Sequence, residues 1–338
     1  MTDPRAHTSS LVDRTHPVAA GAGVVAAHFL GKTAVFALGD EALLLVEAKG
    51  ESKGEPRRVV VHAGAILATA ADGKRVISGG DDGKVVATDA AGETVTLATD
   101  AKHRWIDHVA LAPDGAVAWS AGKTAFVQAK ELRQLEAPST VGGLAFLPKG
   151  FRLAVAHYNG ATLWFPNAPQ ATPEILEWKG SHLSATISPD GRFLVTAMQE
   201  PMLHGWRLTD AKHMRMSGYS ARVTSLGWTS DGHWLATSGA TQLILWPFQS
   251  KDGPMGKEPR ILAPSEHRVT VVACHPRQEI VAVGYADGMI LFVRVDDGAE
   301  ILGKKPGPAP VSALAWSADG KLFAFGTEDG EAGVLDLA

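Results

Sequence analysis

The residues that could carry out chemistry in this chain are few and scattered. Cys274 is the single cysteine, so an internal disulfide and a Cys-x-x-Cys zinc site are both excluded. The ionisable residues within the innermost predicted strands are His28, Asp107, His108 and His275. A metal centre needs three or four converging His, Asp or Glu ligands, and these scattered candidates do not meet that requirement. The sequence therefore predicts no catalytic residue, no metal and no cofactor.

Cys274 is the only candidate for a thiol nucleophile, which would need a neighbouring base and access to substrate. His275 adjoins it, but successive residues of a β-strand point to opposite faces. Trp228 and Trp316 occupy the equivalent position in other copies of the repeat described below, which favours a small buried hydrophobic role for the cysteine. The sequence also lacks Gly-x-Ser-x-Gly, His-Glu-x-x-His and the phosphate-binding glycine loop. We therefore predict that the protein is not an enzyme.

A second set of residues could bind a partner. Arginine, histidine and large aromatic residues are concentrated in the segments between successive repeats, and arginine and aromatic residues are the usual anchors of protein interfaces. The candidate partner-binding residues are His103, Arg104, Trp105, Trp178, His182, Tyr219, Arg222, His267 and Arg268. Each could instead be an ordinary loop residue, and the same mixture could stack on single-stranded nucleic acid. The formal net charge of −4 indicates no general attraction to nucleic acid or to an anionic membrane.

The element that must position these residues is an internal repeat. Tight turns, of which Asp72-Gly73, Asp190-Gly191 and Asp319-Gly320 are clear examples, recur at intervals of 35 to 46 residues and mark eight copies. Each copy contains four short apolar runs separated by turn residues, which predicts antiparallel hairpins and not helices. Four strands every 40 or so residues are typical of a β-propeller blade.

The predicted fold is therefore all-β: a single closed β-propeller of eight four-stranded blades. Seven blades are the alternative, because the first copy, around Val24–Glu47, lacks the Asp-Gly turn. The last copy ends after its third strand, so we predict that the N-terminal segment, residues 1–17, supplies the strand that completes the last blade. Ser10-Leu11-Val12 is the expected closing strand, and residues 18–338 form the propeller.

At these turns the sequence resembles the WD40-repeat family over about residues 18–338. Ser188-Pro189-Asp190-Gly191 matches the family turn, Leu235–Gly239 matches its second strand, and Trp164, Trp206 and Trp246 match the Trp that often ends its third strand. No Trp-Asp dipeptide occurs. The family's hydrogen-bonded set of His, Ser or Thr, Trp and Asp is expected to be broken in nearly every blade, with His62, Ser78 and Asp81 as its best remnant.

The resemblance implies the fold more strongly than the function, because this fold hosts many unrelated partners. We predict a non-catalytic scaffold that binds a protein or peptide at the propeller rim. The alternatives are a hydrolase-like or lactonase-like enzyme with an axial site, and an RNA-binding propeller. Met1–Pro17 has no apolar signal-peptide core and no run of 18 apolar residues occurs, so we expect a cytoplasmic protein with no membrane partner. The sequence leaves the oligomeric state open.

Overall fold

The computed structural model describes residues 10–48 and 55–338, which form eight antiparallel sheets. We name them blades 1 to 8 in chain order. From the first strand to the last, blade 1 consists of Val24–Leu30, Thr33–Leu38, Ala42–Glu47 and Arg57–Val60, and blade 2 consists of Ile66–Ala71, Arg75–Gly80, Lys84–Asp89 and Thr94–Thr99. Blade 3 consists of Ile106–Leu111, Val117–Ala121, Thr124–Gln128 and Leu132–Glu136, and blade 4 consists of Gly143–Phe146, Leu153–Trp164 and Glu174–Ser181. Blade 5 consists of Thr186–Ile187, Phe193–Ala197, Leu203–Arg207 and Lys212–Met216, and blade 6 consists of Leu226–Trp228, Trp234–Thr237, Leu243–Pro247 and Arg260–Leu262. Blade 7 consists of Val269–Cys274, Ile280–Tyr285, Ile290–Arg294 and Glu300–Lys304, and blade 8 consists of Val311–Trp316, Leu322–Thr327, Glu331–Asp336 and Thr15–Ala19. The prediction of an eight-bladed propeller is confirmed, and the seven-bladed alternative is excluded.

Blade 4 has the same four-strand plan, although its second and third strands form one continuous element, Leu153–Trp164. The chain reverses within it at Asn159 and Gly160, whose φ angles are 67° and 142°. Both values lie in the left-handed region, which Asn and Gly tolerate better than other residues. The hairpin is therefore tight enough for strand pairing to continue almost to the turn.

The first strands of successive blades contact one another around the axis, and the hydrophobic core lies between blades. Each of the eight clusters of buried apolar residues combines two neighbouring blades. The cluster between blades 8 and 1, for example, joins Leu322 and Val334 to Phe36 and Leu44. No blade shelters its apolar faces alone, so the ring is stable only when its two ends meet.

Three of the five Asp-Gly turns between the first and second strands share one hydrogen-bonding pattern. The Asp190 carboxylate accepts bonds from the Ser188 hydroxyl at 2.7 Å and from the Arg192 backbone N–H at 3.0 Å. Asp231 and Asp319 make the equivalent pair of bonds in blades 6 and 8. The next residue in each of these turns is a glycine with positive φ. The recurrence of Asp-Gly in the sequence thus reflects a turn that needs an acceptor side chain followed by a left-handed residue.

An N-terminal strand completes blade 8, as predicted, but the predicted residues were wrong. The closing strand is Thr15–Ala19, which pairs antiparallel with Glu331–Asp336. Ser10 instead forms a parallel bridge with Leu302 of blade 7, and the Leu11 N–H donates to the Leu302 carbonyl at 2.8 Å. Pro17 hid the true strand, because proline is compatible with an edge strand but not with a central one. Residues 1–9 of the predicted N-terminal segment lie outside the described residues.

Candidate interaction surface

The loops that join the last strand of one blade to the first strand of the next lie on one rim, which we call the upper rim. Arg222 and Arg268 are exposed there, at the entry to the first strands of blades 6 and 7. Their backbone is fixed by neighbouring hairpins: the Ala221 N–H donates to the Gly239 carbonyl at 3.0 Å, and the Ala286 N–H donates to the Arg268 carbonyl at 2.8 Å. Two cationic side chains are thus displayed on well-supported backbone.

Both arginines line the same cavity, which we call the two-arginine cavity. Its volume is about 460 Å³, and its walls come from blades 5 to 8. Arg222 Nη1 donates to Gln199 Oε1 of blade 5 at 3.3 Å. Glu328 of blade 8 supplies the one carboxylate of the lining. The lining therefore carries a formal charge of +1.

The wall of this cavity nearest the axis contains hydroxyl groups that donate their protons to backbone carbonyls of the ring. Thr270 Oγ1 donates to the Val311 carbonyl of the next blade at 2.6 Å, within reach also of the Gly284 carbonyl at 3.1 Å. Thr224 and Ser312 occupy the same position in blades 6 and 8, and they donate to the Thr270 and Val24 carbonyls. A hydroxyl has one proton, so these oxygens offer only lone pairs to anything inside the cavity.

In the segment from Lys102 to Trp105, the Arg104 side chain is bound to the fold and the Trp105 side chain is exposed. The Arg104 guanidinium pairs with Asp100 at 2.7 Å and also donates to the Ala121 carbonyl and the Thr124 hydroxyl. The hydrogen bond from Arg104 lowers the pKa of Asp100 to about 2. Trp105, by contrast, is 60% exposed. Arg104 therefore holds the loop together, and Trp105 is the residue of this segment most available to a partner; His103 and His267 are also exposed.

Trp178 and His182 are engaged within the protein. Trp178 lies in the last strand of blade 4, not in a loop, and its ring stacks on His204 at 4.1 Å between centroids. His182 is buried, with one ring nitrogen 2.7 Å from Thr196 Oγ1 and the other 3.0 Å from the Trp178 carbonyl oxygen. His182 is thus a structural residue, and we omit it from the proposed surface.

Tyr219 is buried as well, and it belongs to a hydrogen-bond set that sequence reasoning missed. Its hydroxyl accepts from Trp246 Nε1 at 2.7 Å and lies 2.9 Å from Thr237 Oγ1. Burial raises the pKa of Tyr219 to about 12. Tyrosine here occupies the position that histidine takes in blades 2 and 5, so a search for histidine could not find it. The sequence signal that could have indicated this set is a tyrosine followed four positions later by a valine at the start of the first apolar run of the blade.

The blade 2 remnant also differs from its prediction. His62 Nε2 lies 2.8 Å from Ser78 Oγ, as expected, but Nδ1 contacts Asp82 Oδ1 at 3.0 Å, so the acidic partner is not Asp81. The full set of His, Ser or Thr, Trp and Asp is incomplete in both blades, as expected. Thr88 stands at the Trp position of blade 2, and in blade 6 Tyr219 replaces the histidine and Pro247 follows Trp246.

Comparison with known families matches two parts of the ring. The family described as WD domain, G-beta repeat matches residues 212–246, which run from the last strand of blade 5 to Trp246. The family described as anaphase-promoting complex subunit 4 WD40 domain matches residues 272–338, most of blades 7 and 8. The chain is an eight-bladed β-propeller, and in these two parts it is similar to WD40 repeats. The comparison with curated proteins found no match.

WD40 propellers commonly serve as scaffolds for protein interactions. In this propeller, two of the axial residues considered for catalysis, His28 and His275, have structural partners. His28 Nε2 lies 2.8 Å from Thr69 Oγ1 of the next blade, and burial lowers the pKa of His28 to about 4. His275 Nε2 lies 3.2 Å from the Gly320 carbonyl oxygen. Burial raises the pKa of the Cys274 thiol, which keeps it protonated and weakly nucleophilic.

Within residues 10–48 and 55–338, no group of three or more His, Cys, Asp or Glu side chains is arranged to hold a metal ion. In the same part of the chain, no helix has both the length and the apolar character needed to cross a bilayer.

Proposed function

We propose that this propeller is a non-catalytic scaffold that binds a protein or peptide partner at its upper rim. The observation that carries the proposal is the exposure of Trp105, Arg222 and Arg268 on that rim. Arginine and tryptophan are over-represented among the residues that dominate binding energy in protein interfaces. His103 and His267 are exposed beside them and form the polar margin of the proposed surface.

The ring provides the second argument. Arg222 and Arg268 are displayed on backbone that is hydrogen-bonded to strands, and Arg104 ties its own loop to blade 3. A surface that is ordered before binding loses little conformational entropy when a partner docks, so more of the contact energy appears as affinity. This is the advantage that a propeller offers as a scaffold.

The test is a pull-down with a variant that combines Trp105→Ala, Arg222→Gln and Arg268→Gln. Arg104 stays unchanged, because its side chain supports the fold. We expect the variant to keep the wild-type melting temperature and to lose partners that wild-type protein captures. The matched control is Arg277→Gln, an exposed arginine at the opposite end of the strand Val269–Cys274. Undiminished capture by the triple variant would reject the upper rim as the binding surface.

A further inference from the structure

The two-arginine cavity has a composition that selects among binding partners. Its lining offers hydrogen-bond donors, from Arg222 and Arg268, and acceptors, from Thr270, Ser312 and Glu328. A ligand that fills it must therefore present acceptors and donors together. Its volume of about 460 Å³ falls within the range of pockets that take drug-sized ligands.

We propose that this cavity binds an acidic peptide segment, with an Asp or Glu side chain of the partner seated between Arg222 and Arg268. The inference rests on the proposed function, since the occupant is part of the scaffold's partner. The carboxylate accepts hydrogen bonds from the guanidinium groups, in the charge-assisted geometry that arginine favours. Backbone N–H groups of the same segment donate to the hydroxyl oxygens of Thr270 and Ser312, whose own protons point into the ring.

The alternative anionic occupant, a phosphorylated residue, fits less well because of its charge. A phosphate group carries a charge of about −1.5 to −2 near neutral pH, whereas the lining has two positive groups and one negative group, a formal +1. A carboxylate carries a single negative charge and balances the lining. The backbone N–H groups that donate to the hydroxyl wall are common to both kinds of peptide, so the charge decides between them.

The cavity can take a ligand without rearrangement of the fold. Neither the Arg268 side chain nor the Glu328 side chain has a hydrogen bond or ion pair among the described contacts, and both residues are exposed. Arg222 has one hydrogen bond, at 3.3 Å, to the amide oxygen of Gln199, which a carboxylate can replace with a stronger, charge-assisted one. The charged groups are thus held near each other by the ring and remain available for a partner.

The experiment is a selection of 12-residue random peptides on the wild-type protein, followed by fluorescence anisotropy of the selected peptides. We expect enrichment of Asp and Glu, and affinity at least tenfold lower when the recognised Asp is changed to Asn. The Arg222→Gln/Arg268→Gln variant should bind the Asp and Asn peptides equally, while Arg277→Gln should discriminate between them as wild type does. Glu328→Gln should strengthen binding of a phosphoserine version of the peptide more than binding of the Asp version.

The outcomes separate the two proposals. Selection of peptides without acidic residues, or equal discrimination between Asp and Asn peptides by the double variant and wild type, overturns the acidic-segment inference. Preference of wild type for the phosphoserine peptide overturns the choice of carboxylate over phosphate. If binding depends on Trp105 but not on Arg222 and Arg268, the scaffold function stands and the cavity assignment fails. If the triple variant keeps its partners, the scaffold surface itself is wrong.

Discussion

The indole N–H of Trp246 donates a hydrogen bond of 2.7 Å to the hydroxyl of Tyr219, and both residues are buried between blades 5 and 6. The Tyr219 hydroxyl also lies 2.9 Å from Thr237 Oγ1, which donates its own proton to the Ile244 carbonyl at 3.0 Å. This chain of bonds connects the loop before the first strand to the second and third strands of blade 6. It therefore fixes the loop that carries Arg222 to the body of the blade.

We expect Tyr219→Phe to lower the free energy of unfolding by about 1–3 kcal/mol, because it leaves the buried Trp246 N–H without an acceptor. Urea denaturation followed by tryptophan fluorescence measures the change. Tyr158→Phe is the control, since Tyr158 is 55% exposed and should change stability by less than about 0.5 kcal/mol. A loss no larger for Tyr219→Phe than for the control would remove this hydrogen-bond set from the account of the fold.

Two neighbouring residues of the closing strand, Val18 and Ala19, should differ in how much their substitution lowers stability. Val18 is buried in the cluster shared by blades 8 and 1, whereas Ala19 in the same strand is exposed. Val18→Ser removes apolar contacts and buries a hydroxyl, so we expect a loss of about 2–3 kcal/mol. Ala19→Ser should be near neutral. Thermal unfolding distinguishes the two variants, and equal melting temperatures would show that this strand does not close the ring in solution.

The buried histidines predict acid sensitivity. Burial, aided by His182, His213 and Arg215, lowers the pKa of His204 from 6.5 to about 3, and burial lowers that of His28 to about 4. Their folded-state pKa values are depressed, so the unfolded chain binds more protons once the pH falls below about 6.5. Stability is then full above this pH and decreases as the pH falls toward 4, by up to about 1.4 kcal/mol per pH unit for each histidine.

The check on this prediction is urea denaturation of wild type and variants at pH 7 and pH 5. His204→Phe should lose less stability over that interval than wild type does, because the phenylalanine ring keeps the stacking on Trp178 without a titrating group. His103→Gln is the control, since it removes an exposed histidine. An unchanged slope in His204→Phe would contradict a depressed pKa at this position.

The sequence predicts the architecture well, because the same Asp-Gly turn recurs in five of the eight blades. In each of these turns the Asp carboxylate accepts a hydrogen bond from the backbone N–H two residues later, and the residue between them is a glycine with positive φ. The acceptor side chain and the glycine are adjacent in sequence, so the turn can be recognised from the sequence alone. The closing strand was misplaced because Pro17 is allowed only at an edge, and an edge is a property of the assembled sheet. Local patterns therefore reveal blades but not how the two ends meet.

The candidate surface was predicted less completely for a similar reason. Arg104, Arg222 and Arg268 occupy similar places in the sequence. Of the three, only Arg104 has a carboxylate four residues before it, and the two side chains form an ion pair. The residues that line one cavity with Arg222 and Arg268, such as Glu328, come from neighbouring blades and are brought together only when the blades pack side by side. Convergence of this kind cannot be deduced without the three-dimensional arrangement.

Arg104 and its neighbour Trp105 should separate stability from binding. Arg104→Gln removes the ion pair with Asp100 and the bonds to blade 3, and because this side chain is about one-third exposed we expect a loss of only about 1 kcal/mol. Trp105→Ala removes a side chain that is 60% exposed, so stability should stay within about 0.5 kcal/mol of wild type while partner capture falls. Chemical denaturation and a pull-down on the same preparations provide both measurements. If Trp105→Ala unfolds more easily than Arg104→Gln, or if it captures partners as wild type does, Trp105 is not a binding anchor.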